Sequence, residues 1–156
     1  MKIAGPGTLE IIRKNDMTKN NTPLEHEEQV AVVEWIETQN EIAKLFKSKN
    51  LRPVLFSAIV NGHYQQSKKQ LNKLIAEGMR KGILDMVFIV PPERAKAGKR
   101  LMVWIEMKRV QGSSTSEEQL EWEEAINDIE GGVVGAFICY GQKEAIDVLK
   151  DLIIVL

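Results

Sequence analysis

The chain has 156 residues, a formal net charge of −1, and a composition that is 44% hydrophobic and 28% charged. That length suits one compact domain with its own core, and the near-neutral total argues against binding nucleic acid by bulk electrostatics alone. A single cysteine and two histidines argue against a disulfide scaffold and a structural zinc site. No apolar run is long enough to span a bilayer, and the first residues lack the apolar stretch of a signal peptide. A cytoplasmic protein with no membrane partner is therefore expected.

Residues 1–21 are polar and irregular and read as a flexible N-terminal arm, with residues 22–156 as the folded domain. Thr22-Pro23-Leu24-Glu25 predicts a helix start, with Thr22 as N-cap, Pro23 as first helical residue and Glu25 closing a capping box. That helix is expected to run through Val30, Val33 and Ile36 to about Gln39, with a shorter one over Glu41 to Lys47. Val54 to Val60 reads as a strand ending at the Asn61-Gly62 turn. A helix over Gln66 to Glu77 should stop at Gly78, which fits a left-handed cap.

Leu84 to Val90 and Leu101 to Lys108 read as strands joined by a loop over Pro91 to Gly98. A helix from Ser116 to about Glu130, a strand over Val133 to Tyr140 and a helix over Gln142 to Leu152 complete the chain. The order α-β-α-β-β-α-β-α predicts an α/β fold, a mixed sheet flanked by helices. The two adjacent strands should pair antiparallel, and the crossover through the Ser116 helix should bring the last strand in parallel.

Side chains two apart on a strand share a face. Leu101, Val103, Ile105 and Met107 therefore form a core face, and Met102, Trp104, Glu106 and Lys108 the opposite one. Glu-x-Lys alone also suits a solvated strand end. Asp85 sharpens the pattern, because an acid entering the apolar run Met86 to Val90 is costly unless it is paired, bonded to backbone or metal-bound. Asp85 and Glu106 on consecutive strands suit Mg²⁺ or Mn²⁺, which prefer oxygen ligands, and the Met107 carbonyl is a candidate further ligand. Lys108 would hold and help deprotonate a water or stabilise charge on a phosphate.

Glu25 and Glu28 lie on one face of the first helix. Glu25 is accounted for by the capping box, which leaves Glu28 as the expected additional metal or water ligand. Ser116-Glu117-Glu118-Gln119 is itself a capping box, so Gln119 is explained equally by the cap and by a place in the site. Arg80, Lys81 and Arg109 flank the motif and would sit beside the metal as contacts for a nucleic-acid backbone, whereas His63 is most simply part of a turn. Cys139, inside an apolar run, reads as a buried thiol.

Taken in order, Glu25-x-x-Glu28-Gln29-Val30, Asn61-Gly62, Glu77-Gly78-x-x-x-Gly82-x-x-Asp85, Ile105-Glu106-Met107-Lys108-Arg109 and Ser116-x-x-Gln119-x-x-Trp122 form a string of motifs. This string resembles the virus-type replication-repair nuclease (VRR-NUC) domain of the PD-(D/E)xK nuclease superfamily, from about Glu25 to Tyr140. Leu84 stands where that family usually has Pro. The resemblance implies a restriction-endonuclease-like fold and Mg²⁺- or Mn²⁺-dependent DNA cleavage. Small stand-alone members, often phage-encoded, are similar to Holliday-junction resolvases that act as homodimers, so branched or junction DNA is the implied substrate. Two other readings are a nuclease-like module that binds DNA or a repair protein without cutting, and a sequence-specific restriction-type endonuclease.

Overall fold

A computed structural model describes residues 22–59 and 67–156. The arm over 1–21, the Asn61-Gly62 turn and His63 lie outside the described residues. Among the described residues, four α-helices and four strands follow in chain order: α1 (Glu25–Leu45), β1 (Leu55–Ala58), α2 (Lys68–Ala76), β2 (Met86–Val90), β3 (Leu101–Lys108), α3 (Glu117–Asn127), β4 (Val134–Tyr140) and α4 (Gln142–Leu152). The strands form one sheet in the order β1-β2-β3-β4. β2/β3 pair antiparallel across their short loop and β3/β4 pair parallel across the α3 crossover, while β1/β2 also pair antiparallel.

The period-two pattern of β3 sets the layers. Leu101, Val103, Ile105 and Met107 are buried against Met86, Phe88 and Val90 of β2. α1 covers that face with Val32 and Ile36, and α4 with Ala145 and Leu149. Each such side chain, fully buried, contributes about 1.5–3 kcal/mol. Cys139 lies in this core, and burial pushes its thiol up to about 12, so it stays an inert thiol. On the opposite face α3 packs Trp122 and Ile126 over Trp104, Val134 and Ala136.

Several boundaries differ from the sequence reading. α1 starts two residues late, with Leu24 as its N-cap. Leu24 has no side-chain acceptor, and Glu27 Oε2 reaches back to accept from Leu24 N at 2.7 Å. Thr22 and Glu25 therefore form no capping box. α1 also continues unbroken to Leu45, because the buried stripe Glu28, Val32, Ile36, Gln39 and Ala43 keeps its helical spacing past Gln39. A 3₁₀ turn over Lys47–Lys49 replaces the expected second helix. The connection after β2 holds a further 3₁₀ turn, Pro92–Arg94, tied to the chain end by Ile154 N donating to Arg94 O at 2.7 Å.

Candidate active site

The start of β2 and the end of β3 lie side by side, since Met86 pairs with Ile105. Asp85, one residue before β2, thus reaches the β3 main chain, and its Oδ2 accepts from Met107 N at 3.0 Å. The two sequence readings of Asp85, a backbone-bonded strand starter and a site acid, are therefore compatible. Met107 turns its side chain into the core, and Glu106 and Lys108 turn to the other face. There a cleft of about 520 Å³ brings together Asp85, Glu106, Lys108 and Gln119.

Glu106 is the centre of this group, only 2% exposed. Its Oε1 accepts from Lys108 Nζ at 2.8 Å and also from Gln119 Nε2. Its Oε2 is buried with no hydrogen-bond partner. Burial pushes the carboxyl up to about 7; the Lys108 bond opposes that rise and the nearby charge of Asp85 adds to it. A side-chain bond with Asp85 adds to the rise as well, so the two carboxyls share a proton when no ion is bound, and a cation between them would take that proton's place.

Gln119 closes the cap and also lines the cleft. Its Oε1 accepts from Ser116 N at 3.0 Å while Ser116 Oγ accepts from Gln119 N at 3.3 Å, which closes the α3 capping box. Its amide nitrogen remains for Glu106. The approach of α3 to the Asp85 loop depends on Gly82, which has φ +77°. A Cβ there would lie 2.6 Å from the Glu118 carbonyl carbon. Trp122 Nε1 pins the same loop by donating to Lys81 O at 3.0 Å.

The helix-borne acids exchange roles relative to expectation. Glu28, 4% exposed, turns away from the cleft, and its Oε2 accepts from Gln142 N at 2.7 Å at the start of α4. There it complements the positive end of that helix. The neighbouring Gly141 N donates to Lys108 O at 2.8 Å, so Glu28 supports the end of β3 from behind. Glu25, released from any cap, lines the cleft instead. The signal that would have separated them is the spacing Glu28, Val32, Ile36, which places Glu28 at the head of the buried stripe.

The basic residues divide similarly. Arg80 and Lys81 line the cleft. Arg80 Nη1 folds back onto the carbonyls of Met79 and Ile75, at 2.9 and 3.3 Å, closing the C-terminus of α2. Lys81 approaches Glu118 at 3.5 Å, an exposed pair worth little. Arg109 is half-buried, with its Nε lacking a partner, and does not line the cleft. Gly82, Ser116 and Glu118 also line the cleft, as do Leu71, Met79 and Ile83, which, being apolar, carried no chemical signal in the sequence.

Among the described residues, no three His, Cys, Asp or Glu side chains converge to form a metal cage by themselves. A two-carboxylate set still fits Mg²⁺, which keeps several waters and is commonly held through one or two acids. No helix among the described residues is long and apolar enough to cross a membrane. No family model, curated protein or solved structure matches the chain.

Proposed function

We propose that the protein is a Mg²⁺- or Mn²⁺-dependent DNA endonuclease of the VRR-NUC type, acting on branched or junction DNA as a homodimer. The observation that carries this reading is the unpartnered, buried Oε2 of Glu106 beside Asp85, with Lys108 and Gln119 both on Oε1. Two acids at the meeting of β2 and β3, on a mixed sheet with helices on both faces, support the resemblance drawn from the motifs.

Asp85 and Glu106 would hold the ion, with the Met107 carbonyl as a further ligand. When bound, the ion supplies Lewis-acid stabilisation of charge on the scissile phosphate. Lys108 would hold the attacking water through Nζ and balance charge as the water oxygen bonds to phosphorus and the bond from phosphorus to the leaving sugar oxygen breaks. Gln119 fixes Glu106 so that Oε2 is the oxygen left for the ion. Arg80 and Lys81, at the cleft margin, offset the acids that would otherwise repel the DNA backbone. A two-fold dimer would present two such clefts to the two strands of a symmetric junction.

The test is incubation of the purified protein with four-way, flap and plain duplex DNA in Mg²⁺ or Mn²⁺, with and without excess chelator. Chelator-sensitive cutting of the branched substrates is expected. Cutting that persists in chelator would remove the metal from the mechanism. Binding without cutting on every substrate would make the chain a DNA-binding module, and cutting of plain duplex at one short sequence would make it a restriction-type enzyme.

A further inference from the structure

The cleft is lined by unlike residues: Asp85, Glu106, Lys108 and Gln119 are polar, whereas Leu71 and Met79 are apolar. Leu71 belongs to α2, a helix with no buried residue. α2 packs closely on no other described helix or strand. A helix of this length is marginal in water by itself, so cover on its apolar side would stabilise α2.

Met79 is held by local geometry. Gly78, with φ +106°, ends α2 in a left-handed turn. Met79 N donates to Leu74 O at 2.9 Å and Gly78 N donates to Ile75 O at 3.1 Å, the paired bonds of a Schellman motif. The Arg80 guanidinium bonded to Met79 O braces the same point. Met79 is half-buried, as suits the apolar residue that follows a Schellman glycine, and its remaining surface faces the cleft. Its chemistry suits a flat apolar surface brought in by a ligand. Lys68 and Lys69 on the same exposed helix, with Lys73 beside Glu77 at 3.7 Å, give it a basic start that suits a polyanion.

A nucleic acid has both properties, but only where a base is unstacked. In continuous duplex each base face is covered by its neighbours, whereas in a single strand, or at a branch point that a protein opens, it is available. We propose that Leu71 and Met79 form a seat for an unstacked nucleobase next to the scissile phosphate, which makes DNA with unpaired or branch-point bases the substrate class. This rests on the nuclease reading above. The seat selects by shape and apolarity, so it tolerates any base, and Lys68 and Lys69 lie along the flanking backbone.

The test places 2-aminopurine, one position at a time, around the branch point of a four-way junction. The junction is bound to the full chain in Ca²⁺ in place of the catalytic ion. Wild type and Met79→Leu are expected to change the fluorescence at one position by about twofold or more, and a paired duplex to give no change. In the Leu71→Ala/Met79→Ala double variant that change should disappear. Its preference for branched over duplex DNA in Mg²⁺ should fall about tenfold, the loss of one stacked base. Far-UV circular dichroism checks folding; if the double variant unfolds, Met79→Ala alone is read by the same criteria.

No responding position, or an unchanged preference ratio, overturns the seat. Metal-dependent cleavage with an unchanged ratio leaves the nuclease standing without it. A fluorescence response without cleavage in Mg²⁺ or Mn²⁺ leaves the seat standing without the nuclease. Absence of DNA binding overturns both.

Discussion

Gln119 bonds Glu106 with its amide nitrogen while its amide oxygen closes the N-terminal cap of α3. One side chain therefore couples the stability of α3 to the position of the acid at the centre of the cleft. Substitutions can separate the two tasks. Ser116→Ala removes the cap acceptor for Gln119 N and should cost about 1 kcal/mol of stability, measured by denaturant unfolding. Gln119→Leu should cost a similar amount and also slow metal-dependent cleavage by about tenfold or more, well beyond the effect of Ser116→Ala. Equal cleavage by the two variants would reduce Gln119 to a cap.

The strand-borne part of this site was legible because strand periodicity is simple. Glu106 and Lys108 fall on the face opposite Ile105 and Met107 whatever the rest of the chain does. The Ser116 and Gly78 caps were legible because each uses local bonds among residues close in sequence. The bond from Gln142 N to Glu28 spans 114 positions and has no local signature. Arg94 is similarly opaque: it is fully buried, with Nη2 near Gln39 O at 3.5 Å and two nitrogens without partners. Thr22-Pro23 misled because a composition ideal for a cap gave way to the return bond from Glu27.

The exchange between Glu25 and Glu28 makes a paired prediction. Glu28→Gln weakens the charged acceptor at the start of α4 and should lower stability by about 1 kcal/mol. Mg²⁺ affinity, followed by calorimetry, should change little in a protein that still folds. Glu25→Gln should leave stability within about 0.5 kcal/mol, as expected for a residue without a buried partner, and shift Mg²⁺ affinity or cleavage instead. The opposite pattern would return Glu28 to the site.

Gly82 is a second point at which the fold holds the site. Any side chain there must adopt φ near +77° and meet the α3 main chain at 2.6 Å. The backbone conformation alone costs an alanine about 1–2 kcal/mol. The contact cannot be relieved by rotating a side chain, since one of the atoms met is the Glu118 carbonyl carbon. Gly82→Ala should therefore lower the unfolding midpoint and also displace Asp85 from Met107, reducing cleavage even where the protein remains folded. Gly98→Ala is the control: its φ is also positive, at +64°, but no atom lies within 4 Å of the added Cβ. A destabilisation equal to that of Gly98→Ala would show that backbone conformation, not the approach of α3, sets the requirement.

The Glu106 carboxyl should make the metal-free protein less stable as pH rises. Its pKa is raised from 4.5 to about 7, chiefly by burial and then by Asp85, against the pull of Lys108. Between those values the folded state holds a proton that the unfolded state has released. Folding stability is then greatest below pH 4.5 as far as this group is concerned, and declines as pH climbs through about 7. The shift corresponds to a loss on the order of 3 kcal/mol across that window. Urea unfolding in chelator at pH 5 and pH 7.5 measures it. Glu106→Gln, which does not titrate, should flatten the difference. Saturating Mg²⁺ should do the same, because an ion bound between Asp85 and the free Oε2 favours the ionised form that burial disfavours. A slope of the same size in Glu106→Gln would assign the effect to another group, and a slope untouched by Mg²⁺ would mean that the ion does not bind at Glu106.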